Sequence, residues 1–258
     1  MSRISPWWIL TLVLAMSSAR AELTVGGGVE YFDWREDTQP EVKETGPIFG
    51  FHFGWISEAP TGLAFGAKAR VWLGTVDYEG ALLATNAPVT GTTDYFGVSG
   101  ESQLRARGSG GGQRFDHLLA LGLDQWDRQL TRDQSEQYTA VSVRLGFETM
   151  PESGCRGLLA GLGVRYPFYI HENANFDDIG AENNPSLRPK GRVSPTAHLG
   201  FQINKTMRVL AYYETFWLDD SDFLFVRFPS QSSLPSGFYY QPASDMNVVG
   251  VRFEMRLR

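Results

Sequence analysis

The sequence holds a single cysteine, Cys155, so no internal disulfide can form, and the thiol is expected to be an unpaired turn residue rather than a nucleophile. Histidine is scarce too. Four histidines and one cysteine, scattered along 258 residues, do not fall at metal-ligand spacing, so neither a metal nor a cofactor is expected. No run of eighteen apolar residues follows residue 21, which excludes a membrane-spanning helix in the rest of the chain. Cations are outnumbered, 23 Lys and Arg against 29 Asp and Glu, giving a formal net charge of −6. Such a balance argues against nucleic acid as a partner.

What is present begins with an export signal. Arg3 supplies a positive start, residues 7–16 are apolar, and Ala19-Arg20-Ala21 has the small-x-small form that a signal peptidase cuts after. An apolar stretch of this length cannot cross a hydrocarbon layer that needs about twenty residues. Residues 1–21 therefore read as a signal peptide and residues 22–258 as one mature domain. Arg3 and Arg20 leave with the signal and no acid does, so the mature chain becomes more acidic still.

Ten segments of the mature chain alternate apolar with polar residues: 22–34, 48–56, 62–76, 94–106, 114–126, 137–149, 157–170, 192–203, 206–217 and 246–258. The second sets Phe49, Phe51, Phe53 and Trp55 against Gly50, His52 and Gly54. The third sets Leu63, Phe65, Ala67, Ala69, Val71 and Leu73 against Lys68, Arg70 and Trp72. A strand of this kind has one face against something apolar and the other against something wet. Connector lengths alternate as well. Tight Gly-, Pro-, Asn- and Ser-rich turns at 57–61, 107–112, 151–154 and 204–205 separate longer loops at 35–46, 77–93, 127–136, 171–191 and 218–245. Together these features predict a closed antiparallel transmembrane β-barrel of about ten strands, with short periplasmic turns and long extracellular loops.

Across its mature length the chain resembles the Gram-negative outer-membrane β-barrel proteins as a class. Gly250, Phe253 and Met255 stand at the spacing of the terminal-strand signal that such proteins carry, although the chain ends Leu257-Arg258 where an aromatic residue is usual. The resemblance implies an address in the cell outer membrane, contact with outer-membrane lipid and lipopolysaccharide, and passage through the barrel-assembly machinery.

Counting upward from the short-turn rim brings inward charges of both signs to a similar height: Glu30, Lys68, Arg70, Glu101, Arg144, Glu214 and Arg252, with His52 and His198 nearby. Ten strands enclose a narrow bore, and buried ions persist only when paired. The expectation is a side-chain plug in which Glu30 and Glu214 flank Arg252. The last loop is aromatic. Phe223, Phe225, Phe228, Phe238, Tyr239 and Tyr240 either cover the mouth and join the interfacial girdle or form a contact surface for an unknown partner.

The functional expectation is a structural or surface-binding barrel acting through its extracellular loops. A narrow, porin-like channel for ions or small polar solutes is the alternative. An enzyme is less favoured: the ten-stranded omptin proteases use an Asp pair facing an Asp-His pair at the outer rim. Asp219, Asp220 or Asp222 with His171 and Asp177 or Asp178 would be the candidates, without an omptin motif. For a lipid-modifying enzyme, His117 and His198 lack a partner at convincing spacing.

Overall fold

A computed structural model describes residues 21–57, 61–81, 86–131, 134–152, 155–232 and 234–257. The export signal expected at residues 1–21 lies outside them, apart from Ala21. Ten long strands form a closed antiparallel ring: β1 (Ala21–Glu36), β2 (Val42–Ser57), β3 (Gly62–Ala81), β4 (Pro88–Gly110), β5 (Gln113–Thr131), β6 (Gln134–Pro151), β7 (Gly157–Asn173), β10 (Ser194–Gln202), β11 (Met207–Asp219) and β14 (Ser244–Leu257). Each pairs with the next, and β14 returns to β1 through a register running from Leu23–Leu257 to Glu36–Ser244. All ten sequence segments coincide with these strands. The described residues contain one short 3-10 helix, Phe176–Ile179, and no α-helix.

The alternation has the physical meaning the sequence suggested. Phe49, Phe51, Phe53, Phe65, Leu121, Leu145, Leu199 and Phe253 all point outward and keep about half or more of their surface exposed. An apolar belt of this kind, costly in water, is a lipid-facing surface. Inward positions on the same strands include glycines, charged residues and large aromatics, with a few aliphatic residues such as Ile48 and Leu118 among them. Space in the bore is shared between strands. A Cβ on Gly97 would lie 2.1 Å from the Trp72 indole, and one on Gly250 would lie 2.6 Å from the Tyr212 ring.

The strands run further outward than the alternating segments alone indicated. Residues 77–81 and 88–93, read as loop, continue β3 and β4 in register from Thr75–Asp94 to Ala81–Pro88. Their outer faces turn polar above the belt, which hides them from an apolar pattern, but the backbone ladder persists. On the opposite side the turns are tight. Gly111 and Gly112, with φ of 61° and 75°, make the β4–β5 reversal in a backbone region that side chains disfavour.

One stretch of wall is irregular. Above Ser194 the place of β10 between β7 and β11 is filled by two fragments. β8 (Ser186–Leu187) pairs with β7, and β9 (Lys190–Gly191) pairs with β11. Beyond the wall, β12 (Leu224–Val226) and β13 (Gly237–Tyr239) form a separate two-stranded hairpin within the last loop.

Candidate functional site: the lumen and its extracellular cap

The periplasmic third of the lumen is a network rich in arginine. Arg105, fully buried on β4, donates through Nη1 to Asp116 at 2.9 Å and to Glu148 at 2.6 Å, and through Nε to Gln103 at 2.9 Å. Asp116 also faces Arg107 at 3.4 Å and Arg114 at 3.5 Å, and Lys68 Nζ lies 3.6 Å from Glu148. Across the bore, Glu254 takes one hydrogen bond from Arg252 Nε at 2.7 Å and another from Arg208 Nε. Six cations therefore share three carboxylates.

At mid-height, Glu30 accepts from Arg70 and from the Tyr212 hydroxyl at 2.5 Å, with His52 Nε2 at 3.6 Å. Glu214 stands 4.0 Å from Arg70 on the other side. The cation between Glu30 and Glu214 is thus Arg70, not Arg252, and the sequence-based pairing is corrected. Two causes are visible. Glu30 pairs in register with Gly250, a full inward step above Arg252, and Tyr212 fills the gap, with the Arg252 guanidinium 4.7 Å from its ring centre. Gly50, meanwhile, leaves open the path from Glu30 towards β3, since a Cβ there would fall 2.1 Å from Glu30 Oε1. Glu101 and Arg144 form a two-pronged pair at 2.7 and 2.6 Å. All seven expected lumen residues point inward; they divide into the Glu30–Arg70–Glu214 group, the Glu101–Arg144 pair, Lys68 on Glu148, and Arg252 on Glu254.

Above these charges the bore holds a cluster of buried rings. Phe32, Trp72, Tyr95, Trp126 and Phe216 are buried together with Met246 and Val248. Phe32 and Tyr95 centroids lie 4.7 Å apart, Trp72 and Tyr95 5.9 Å, and Trp126 and Phe216 5.4 Å. Between this ceiling and the periplasmic network lies a chamber of about 150 Å³, lined by Lys68, Arg208 and Arg252 and also by Glu101, Glu148, Glu214 and Glu254 among others.

Over the ceiling sits a cage that sequence reasoning missed. Arg128 donates to Glu44 through Nε at 3.0 Å and Nη2 at 2.6 Å, and through Nη1 to both Glu36 and Glu136 at 2.7 Å. Trp34 and Tyr138 add hydrogen bonds to Glu36 and Glu136 at 3.1 and 3.0 Å, and the Tyr95 hydroxyl bonds Glu44. Glu172 is buried beside Tyr138, its register partner, and neither of its carboxylate oxygens has a hydrogen-bond partner. Glu36, Glu44, Arg128, Glu136 and Glu172 lie on stretches the sequence presented as loops. The signal that finds them is parity: Glu36 continues the inward series of Phe32 and Trp34, and Arg128 that of Asp124 and Trp126.

The last loop and the segment after β7 build a cap with its own small core: Ala174, Phe176, Leu187, Val226 and Phe228, with Leu224 and Tyr239 packed against it. The hairpin is two-faced. Phe228 and Tyr239 face this core, whereas Phe223, Phe225, Phe238 and Tyr240 are exposed and paired, Phe223–Tyr240 at 4.5 Å and Phe225–Phe238 at 5.3 Å. Asn183 pins the β12 edge, donating to Phe225 O at 3.0 Å and accepting from Arg227 N at 2.7 Å.

The residues considered for catalysis stay apart. Asp219 pairs with Arg192 at 3.5 Å, and Asp220 accepts from Ala243 N at 2.7 Å. Asp177 and Asp178 are exposed in the 3-10 turn. Among the described residues no ion pair joins His171 to any of them. His117 lies on the exposed face and His198 in the lumen, and no group of three or more His, Cys, Asp or Glu among the described residues is arranged to hold a metal ion. Cys155 is free and exposed between β6 and β7.

No protein-family model matches the chain, and no curated protein does. Solved structures do. The outer membrane protease OmpT from Escherichia coli aligns over 92% of this chain and 96% of its own, with a TM-score of 0.52 and 8% identity. The translocator domain of the autotransporter NalP from Neisseria meningitidis aligns over 95% and 93%, with a TM-score of 0.38 and 11% identity. The transport unit of the autotransporter AIDA-I from Escherichia coli aligns over 96% and 97%, with a TM-score of 0.38 and 10% identity. At such identity the OmpT likeness speaks for the fold alone: a closed outer-membrane β-barrel.

Proposed function

We propose that this protein is a barrel of the outer membrane that is closed to solutes and works through its extracellular cap, as a structural or surface-binding protein. The observation that carries this reading is the aromatic ceiling. Phe32, Trp72, Tyr95, Trp126 and Phe216 are each at most 4% exposed and project into the bore at one height, which supports a shut lumen over the channel alternative. Side chains packed this way stabilise the barrel as a protein core does, and Phe or Trp to Ala changes in such cores typically cost about 3–5 kcal/mol.

With the lumen shut above, the cap is the part that the outer side presents to other molecules. Its exposed aromatic face suits an apolar partner surface: between residues 223 and 243 the only charge is Arg227. The proteolytic alternative finds no support in the spacing of His171 and the loop aspartates.

Single-channel recording on refolded protein in planar bilayers tests the reading. Electrical silence is expected. Discrete conductance steps from the unmodified protein would overturn it.

A further inference from the structure

We infer that the chamber beneath the aromatic ceiling is a binding site for a small oxyanion, of the size and charge of inorganic phosphate. The argument starts from how Glu254 is held. Arg252 reaches its Oε1 and Arg208 its Oε2, each through Nε. A guanidinium has five donor hydrogens in a fixed plane. With only Nε spent on the carboxylate, no hydrogen bond among the described residues engages the terminal amino groups of either arginine, and both residues line the chamber. Arg252 is fixed in this pose by its stacking on Tyr212.

A third cation completes the arrangement. Lys68 also lines the chamber, its Nζ makes only the 3.6 Å approach to Glu148, and its side chain keeps 37% of its surface open inside the barrel. Glu148 is already engaged by Arg105, so it does not neutralise Lys68 alone. Three cations whose N–H groups are not all spent on carboxylates thus line one space. A volume of about 150 Å³ holds several water molecules, and hence an ion the size of phosphate. It has no room for a bulky headgroup with its chains. Charge-assisted hydrogen bonds from arginine to oxyanions are among the stronger polar contacts available to a protein. Because the rings close the bore above, the ion enters from the periplasmic end. The site goes beyond the reading of the cap and is independent of conductance.

The test is calorimetric titration of the refolded full-length mature protein in detergent with inorganic phosphate, at constant ionic strength set by chloride. Saturable binding to one site per barrel is expected, weakened at least tenfold in Arg252→Met and in Lys68→Met. Lys68→Met serves as the second variant because Glu148 retains Arg105, so the fold is not at stake. Phenylglyoxal modification of arginine, slowed by phosphate, gives an independent readout. Absence of saturable heat, or phosphate affinity unchanged in both variants, would overturn the site.

Discussion

The two ends of the lumen solve the problem of buried charge in opposite ways. At the outer end one cation, Arg128, holds Glu36, Glu44 and Glu136, with Glu172 buried close by. At the periplasmic end Asp116, Glu148 and Glu254 are shared among Arg105, Arg107, Arg114, Lys68, Arg208 and Arg252. Desolvation makes an unpaired buried ion costly at either end. The difference lies in redundancy. Loss of one periplasmic cation leaves each carboxylate another partner, while loss of Arg128 leaves three carboxylates facing one another. The outer end is a lock with a single pin; the lower end is a mesh.

Substitutions can break or sharpen that contrast. The largest effect is expected from Arg128→Met, at least about 3–5 kcal/mol, since removing one partner strands the others. Urea midpoints in detergent, or loss of the folded band on unheated gels, read it. The mesh predicts a smaller cost for Arg105→Met, roughly 1–3 kcal/mol, because Lys68 stays with Glu148 and Arg107 and Arg114 stay with Asp116. Equal midpoints for the Arg128 and Arg105 variants would erase the distinction between lock and mesh.

Glu172→Gln should move stability the other way. Its carboxylate is buried without a hydrogen-bond partner near the carboxylates of Glu136 and Glu36, so the neutral isostere is expected to gain on the order of 1 kcal/mol. A lowered midpoint would mean that Glu172 is held by a favourable contact and that the outer end is better compensated than described. The smallest difference is expected between Arg252→Ala and Arg35→Ala. Glu254 keeps Arg208 when Arg252 is lost, and Arg35 makes only an exposed pair with Asp33, worth under about 1 kcal/mol. Arg252→Ala should still cost more, through lost packing on Tyr212. Reversal of that order would place Arg252 outside the mesh.

Strand number, strand phase and the lipid-facing residues were legible in the sequence because the period of two is imposed by the pleat, and the belt lets only apolar residues outward. The heights at which strands end were not. Above the belt both faces are polar, so Glu79 on β3 and Thr90 on β4 look like loop residues while standing opposite each other in a ladder. The cage around Arg128 was lost for that reason alone. The group of Glu30, Arg70 and Glu214 was legible as a set of inward charges. Its pairing was not, because distance along a strand does not give height in a tilted barrel, and because Gly50 and Tyr212 decide which charge can reach which. The aromatics of the last loop were visible as a run, but only the hairpin's two faces separate Phe228 and Tyr239 from Phe225 and Phe238.

The empty position at Gly97, over which the Trp72 indole lies, has an evolutionary consequence. In a bore this narrow the two positions hold one volume between them, so neither can change size alone. A related chain with alanine or valine in place of Gly97 should carry a smaller residue in place of Trp72, and the same bargain should tie position 250 to position 212. Such paired exchanges across neighbouring strands would trace the inward register of the barrel through chains too divergent to align by their loops.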